Sequence, residues 1–258
     1  MDYQTIKLVI RNDVAVITLN RPDVMNALNT QMRAEITHAV KDAEVQARVI
    51  VMTGAGRAFC SGQDLGDGGN AASLDLERTL RDEYMPMLRA IFDCKIPTIA
   101  AVNGPAAGAG ANLSLAFDVV LASYDAYFVQ AFTRIGLIPD AGGTYWLPRQ
   151  VGSARAMGAA LFADKITATQ AADWGMIYEA IPASEFVSRW QDRAAQLAAG
   201  PTAAYQHLKT ALRSAPDNTL EEQLALEGKL QGKCGQTRDF QEGVVAFLEK
   251  RPAKYEGR

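Results

Sequence analysis

Two stretches of small residues stand where apolar runs of strand type give way to helical patterns, and both could present backbone N–H groups to a ligand. The first, GAGRAFCSGQDLGDGG, follows the run RVIVMT; the second, NGPAAGAGAN, follows PTIAAV about 50 residues later. Small side chains let a backbone approach a ligand closely and leave N–H groups exposed where a helix begins. Two such turns lying side by side could aim two donors at one point. Other chemistries find less support. Neither loop is followed by the lysine of a nucleotide-cradling Walker A motif. GAGANL lacks the third glycine of a dinucleotide-binding turn, and Ser123 rather than an acidic residue ends the next strand. Cys60, Cys94 and Cys234 are scattered and odd in number, and His38 and His207 stand apart from other ligand-type residues. No disulfide framework and no metal site are expected.

The elements that must position these loops are legible in the hydrophobic pattern. Residues 6–10 and 14–19 read as a hairpin around a polar Arg-Asn-Asp turn. Asn29 is a plausible N-cap for a helix with Met32, Ile36, Ala39, Val40 and Ala43 at helical spacing. Residues 48–53 form a buried-type strand. A helix over about 74–92 presents Leu76, Leu80, Tyr84, Leu88 and Ile91, and strands follow at 97–102 and 118–123. After Gly200 and Pro201 the strand signals stop, which divides the chain into a core of residues 1–199 and a helical region of residues 200–258. Helices are expected at about 202–213, 218–233 and 238–250, the second opened by a capping box of Asn218 and Glu221. Leu220, Leu224, Leu226, Leu230, Val244, Val245 and Phe247 are too many for a small helical tail to bury alone. Packing on the core or on another subunit is therefore expected.

With 48% hydrophobic and 21% charged residues in 258, the chain has an ordinary globular composition. A net charge of −3 and a pI near 5.5 give no electrostatic reason for nucleic-acid or anionic-membrane binding. MDYQTIKLVI carries no signal pattern, and no apolar stretch approaches the roughly 20 residues needed to span a bilayer. A soluble, cytoplasmic protein is expected.

Four ordered motifs carry a resemblance. LNRPDVMNAL, AFCSGQDL, NGPAAGAGANLSLAFD and GLIPDAGGTYWLPR together resemble the crotonase (enoyl-CoA hydratase/isomerase) family over essentially the whole chain. The resemblance implies an α/β fold, a spiral of repeated ββα units with a C-terminal helical region used in trimerisation, so that trimers or hexamers are expected. It implies an acyl-CoA thioester as substrate, with coenzyme A part of that substrate and no further cofactor. It places an oxyanion hole at the backbone N–H groups of Gln63 and Ala109, where side-chain identity should matter less than backbone shape. Coenzyme A would run beside Gln63, Asp64, Leu65 and Gly66.

The chain departs from the hydratase pattern at the catalytic acids. Where hydratases carry two glutamates, this sequence has Asn112 and Phe132. One carboxylate stands nearby, Asp140 in IPDAGG, readable as a turn or N-cap residue or as a general base facing the acyl chain. An apolar surround of Phe132, Ile135, Leu137 and Ile138 would raise its pKa. The segment around Asp140, with WGMI at 174–177 and EGVVAFLEKR at 242–251, resembles the ring 1,2-epoxyphenylacetyl-CoA isomerase branch of bacterial phenylacetate degradation. The resemblance thus implies an isomerase that shifts a double bond or rearranges a ring epoxide through an enolate. The alternatives are a hydratase of the same family or a non-catalytic acyl-CoA- or RNA-binding member. A dehalogenase-like enzyme is disfavoured by Phe132 and Thr133, where Trp and His are expected. Residues 67–73 and the following helix should line the acyl tail, and the Gly-rich segment 66–73 should be mobile.

Overall fold

The computed structural model describes residues 2–66 and 75–258; the expected acyl-tail loop and the mobility expected of it lie almost wholly outside the described residues. β1 (Ile6–Arg11) and β2 (Val14–Leu19) form the hairpin, Ile6 opposite Leu19 and Arg11 opposite Val14. Asn12 and Asp13 turn it with φ of 50° and 62°, the left-handed pair that a tight two-residue turn requires. α1 (Thr30–Gln46) begins as expected, the Asn29 side chain accepting from Met32 N at 2.9 Å.

β3 (Val49–Gly54), β4 (Thr98–Val102), β6 (Val119–Ser123) and β9 (Glu179–Ile181) then join β2 one after another, all parallel, in a sheet ordered β1-β2-β3-β4-β6-β9. A smaller sheet holds β5 (Ala106–Ala107), β7 (Tyr127–Val129) and β8 (Ile166–Thr167). The first circuits return to the large sheet through helices, the later ones also pass through the small sheet, and each adds one strand to the same side. The path is a spiral of mixed α/β class. VIVM in β3 and IAAV in β4 are continuous apolar runs because these central strands are buried on both faces.

The helix expected over 74–92 is not one continuous α-helix. α2 (Leu76–Thr79) passes into a π-helical turn over Leu80–Tyr84 and then into α3 (Met85–Phe92). A wide turn inserts one residue and advances the register. Tyr84, Met87 and Ile91 therefore become the buried set, while Leu76 is exposed and Leu88 only half-buried. The return path of the later circuits uses α4 (Ala109–Leu115), α5 (Gly143–Val151), α6 (Ser153–Phe162) and α7 (Ala168–Asp173).

α8 (Phe186–Ala198), α9 (Thr202–Ser214), α10 (Leu220–Cys234) and α11 (Arg238–Glu249) complete the chain. The capping box of α10 lies one residue beyond the expected pair: Thr219 and Glu222 exchange both bonds, and Asn218 instead donates to Gln223. Lys209 Nζ on α9 donates to Cys94 O at 2.6 Å and pairs with Asp118 at 2.7 Å, and Arg213 pairs with the same carboxylate. Arg48, just before β3, holds Thr202 and Tyr255. The apolar surplus nevertheless stays open. A groove of about 1190 Å³ runs between α9, α10 and α11, with Leu212 and Phe247 65% and 82% exposed. Among the described residues no helix is long and apolar enough to cross a membrane.

Candidate active site

The first glycine-rich loop is held from two sides. Asn26, fully buried, donates to Ala55 O at 3.0 Å and Ala58 O at 2.9 Å, which explains why the asparagine of LNRPDVMNAL matters to a loop 30 residues away. Leu28 N donates to Gly62 O at 2.8 Å, and Asp64 N donates to Leu28 O at 3.0 Å. Because Gly62 O and Asp64 N both face Leu28, the N–H of Gln63 faces the opposite way. It makes no hydrogen bond among the described residues.

The second loop packs its backbone directly against the first. Ala107 N donates to Cys60 O at 2.9 Å and Gly108 N to Val129 O at 2.8 Å, but the next N–H, that of Ala109, is likewise unbonded among the described residues. Gly108 turns the chain at φ 52°. A Cβ on Gly62 would stand 3.3 Å from Ala109 N and 2.7 Å from Ala107 O, so the two free N–H groups lie side by side. At Gly110 a Cβ would collide with Cys60 O, so only glycine admits this approach. Paired donors of this kind can hold an oxygen that gains negative charge during a reaction.

Asp140 lies just before α5. It is not the cap of that helix: Gly142, at φ 82°, occupies the cap position, and no side chain caps it. The N-cap reading of the side chain is thereby overturned, while the turn is present, Ala141 and Gly142 lying between Asp140 O and Gly143 N. Oδ1 of Asp140 is buried and has no hydrogen-bond partner among the described residues. Burial pushes the carboxyl up to about 6. Its main chain, by contrast, is tightly fixed. Asp140 O accepts from Gly143 N and from Asn112 Nδ2, both at 2.8 Å, and Asn112 Oδ1 accepts from Gln130 Nε2 at 2.8 Å. Ala141 follows at φ 47°, an uncommon conformation for a residue with a Cβ.

Not all of the expected apolar surround forms. Phe132 is buried, its ring 3.7 Å from where a Cβ on Gly108 would sit, but Ile135 and Ile138 are 59% and 76% exposed. Ile135 ends a 3-10 turn, Ala131–Ile135, that turns away from the core. Asn112 and Phe132 are both buried, and Asn112 acts as a brace for the Asp140 backbone.

The carboxylate of Asp64 pairs with Arg21 at 2.7 Å and accepts from Gly66 N at 3.0 Å, so it shapes its own loop; Leu65 and Gly66 are exposed. Sequence reasoning also missed what lies under Gln63. Its Oε1 accepts from Tyr84 Oη at 2.7 Å and from Arg33 at 2.9 Å. Arg33 had left a trace, since a cation stands in register with the apolar Ile36, Val40 and Ala43 of α1. Tyr84 stands in the apolar stripe of the helix expected over 74–92. Burial holds its phenol proton on, against the pull of the neighbouring Arg33 charge. His38 bonds Tyr3 at the surface, and among the described residues no group of three His, Cys, Asp or Glu could hold a metal.

Residues 9–258 match the family model described as enoyl-CoA hydratase/isomerase. The chain is 61% identical, over 100% of both chains, to a protein of Rhodobacter capsulatus named probable enoyl-CoA hydratase. It is 42% identical to the 1,2-epoxyphenylacetyl-CoA isomerase of Escherichia coli K12, over 96% of this chain and 97% of that one. The crystal structure of an enoyl-CoA hydratase from Polaromonas sp. JS666 superposes with a TM-score of 0.92 at 32% identity, covering 97% of this chain and 99% of that chain.

Proposed function

The chain belongs to the enoyl-CoA hydratase/isomerase family and has the crotonase fold, and from that premise we propose that it is an acyl-CoA isomerase whose proton is carried by Asp140. The Gln63 and Ala109 N–H groups receive the thioester oxygen. With a 3-enoyl-CoA, the Asp140 carboxylate removes a proton from the carbon beside the thioester, and charge moves onto the carbonyl oxygen as a dienolate forms. The same carboxyl then returns the proton two carbons farther along, leaving a 2-enoyl-CoA. No water is consumed and nothing is oxidised. Each donor of such a pair contributes about 3–4 kcal/mol where it has been removed in other enzymes.

The observation that carries this reading is the Asp140 carboxylate itself. Its Oδ1 is buried and unpartnered and the carboxyl is raised to about 6, so it is ionised at neutral pH and basic enough to take a carbon acid's proton with help from the donors. Positions 112 and 132 offer no second acid to manage water. Coenzyme A would pass along Gln63, Asp64, Leu65 and Gly66 through their backbone, since the Asp64 side chain is held by Arg21. The open apolar faces of α9, α10 and α11 suit a trimer or a hexamer of two trimers. The hydratase reading is supported by the names of the 61% identical relative and of the Polaromonas structure.

The deciding experiment incubates the protein with 3-enoyl-CoA, crotonyl-CoA and the ring-epoxide of phenylacetyl-CoA and identifies the products. We expect hydration of crotonyl-CoA at least about a hundredfold below isomerisation of a good 3-enoyl substrate in kcat/KM. Hydration equal to or faster than isomerisation would restore the hydratase.

A further inference from the structure

Beneath the first donor loop lies a buried polar network that proton transfer by Asp140 does not use. Arg33 and Tyr84 are 2% and 3% exposed, on α1 and at the end of the π-helical turn. Both donate to Gln63 Oε1, at 2.9 and 2.7 Å. Arg33 also donates to Leu28 O at 2.7 Å and pairs with Glu83 at 2.6 Å, and its guanidinium sits 4.8 Å from the centre of the Tyr84 ring.

The geometry of one peptide gives this network a task. The N–H of Gln63 belongs to the peptide whose oxygen is Gly62 O, and that oxygen is held by Leu28 N. Gly62, at φ 97°, lacks a Cβ to restrict the rotation of this peptide. Arg33 grips Leu28 O on one side of the peptide and the Gln63 side chain on the other. Tyr84 closes the second lone pair of Gln63 Oε1, a bond that packing alone would not require, because phenylalanine fills the same volume.

We propose that Tyr84 and Arg33 are positioning residues that aim the Gln63 N–H at the substrate's thioester oxygen by fixing the Gln63 side chain. The inference rests on the reading of Gln63 and Ala109 as oxyanion donors. It departs from the expectation that side-chain identity at residue 63 matters less than backbone shape: an acceptor at this side chain is what the network grips.

The test compares the intact protein with Tyr84→Phe, Gln63→Met and the double variant. Turnover and KM are measured with a 3-enoyl-CoA, and the carbonyl stretch of bound butyryl-CoA, labelled with 13C at the thioester carbon, is recorded by infrared spectroscopy. Tyr84→Phe should lose turnover roughly tenfold, the worth of one neutral hydrogen bond, and Gln63→Met, which frees both Tyr84 and Arg33, at least as much, each with KM within about twofold. The double variant should be no slower than the worse single one, and the carbonyl downshift seen in the intact protein should shrink in all three. Wild-type turnover and carbonyl frequency in Tyr84→Phe would overturn the inference, as would losses that multiply in the double variant. Were Tyr84→Phe to fold poorly, Gln63→Met alone, altering a half-buried side chain, still decides by its carbonyl frequency. An intact protein that leaves the carbonyl unshifted removes the donor reading itself, and this inference with it.

Discussion

The two donor loops reach the same end, a free backbone N–H, by different means. At Gln63 the peptide is braced by side chains: Arg33, Tyr84, Asn26 and the Arg21–Asp64 pair all hold the loop from outside. At Ala109 the peptide is braced by proximity, with Gly110 pressed onto Cys60 O and Gly104 onto Arg57 O. A hydrogen-bonded brace tolerates the loss of one partner because others remain. A backbone pressed against a backbone tolerates no added atom, since neither side can choose another rotamer. The side-chain brace of the first loop should therefore fail by degrees and the backbone contact of the second at once.

The largest effect expected is at Gly110. Gly110→Val drives a branched side chain into Cys60 O and should cost more than about 3 kcal/mol, seen as loss of soluble folded protein or a collapse of the melting temperature. A Gly110→Val protein that melts like the wild type would remove the distinction between the loops. Next comes a change that leaves both loops untouched. Asp140→Asn should lower isomerase turnover about 10²–10⁴-fold while acyl-CoA affinity, measured by calorimetry, changes little. If the variant isomerises at wild-type rate, the proton carrier lies elsewhere.

The first loop's graded failure is sharpened by Arg33→Met. It leaves Glu83, only 17% exposed, without its main partner, and should cost about 2–4 kcal/mol in urea unfolding while the protein still folds. A loss under about 0.5 kcal/mol would show that the brace is idle.

The smallest effect expected is one of pH. The Asp140 carboxyl titrates near 6 in the folded protein and near 3.8 when exposed, so the native state binds the proton more tightly. Its contribution favours the folded state below about pH 4 and is lost as pH rises through 6, leaving a charge buried at a cost of about 1–3 kcal/mol. Asp140→Asn should thus melt higher than the wild type at pH 8, and the gain should shrink as pH falls from 6 to 4. Isomerase activity should run the other way, declining below about pH 6 as the base is protonated. A melting-temperature gain independent of pH would assign the stabilisation to packing instead.

How much of this was legible follows from what each feature depends on. The hairpin, α1 and its Asn29 cap, and strands β3, β4 and β6 rest on local pattern, and they stand where the pattern put them. The short strands β5, β7 and β8, two or three residues each, have no period to read. The π-helical turn was invisible because one inserted residue is smaller than the tolerance of a stripe read by eye. At the site, Gln63, Ala109 and Asp140 came from ordered motifs. Arg33 and Tyr84 are brought to Gln63 by the spiral, across 30 and 21 residues, and no local pattern encodes that meeting. The exposure of Ile135 and Ile138 was missed for a related reason: apolar type says that a residue can be covered, not by what.

The brace at Asn112 has a consequence for how such a sequence can change over generations. Its Nδ2 supports the backbone of Asp140, its Oδ1 is held by Gln130, and a Cβ on Gly143 would touch its amide. Glutamate at this position would be one methylene longer in a place already full. It would also set a carboxylate oxygen against the Asp140 carbonyl it must release. On the function proposed above, a descendant that traded this residue for a hydratase-type acid would lose the base before gaining the new one. On the same reading the two activities are neighbours in fold but not one substitution apart: any route between them must first loosen the turn that carries Asp140.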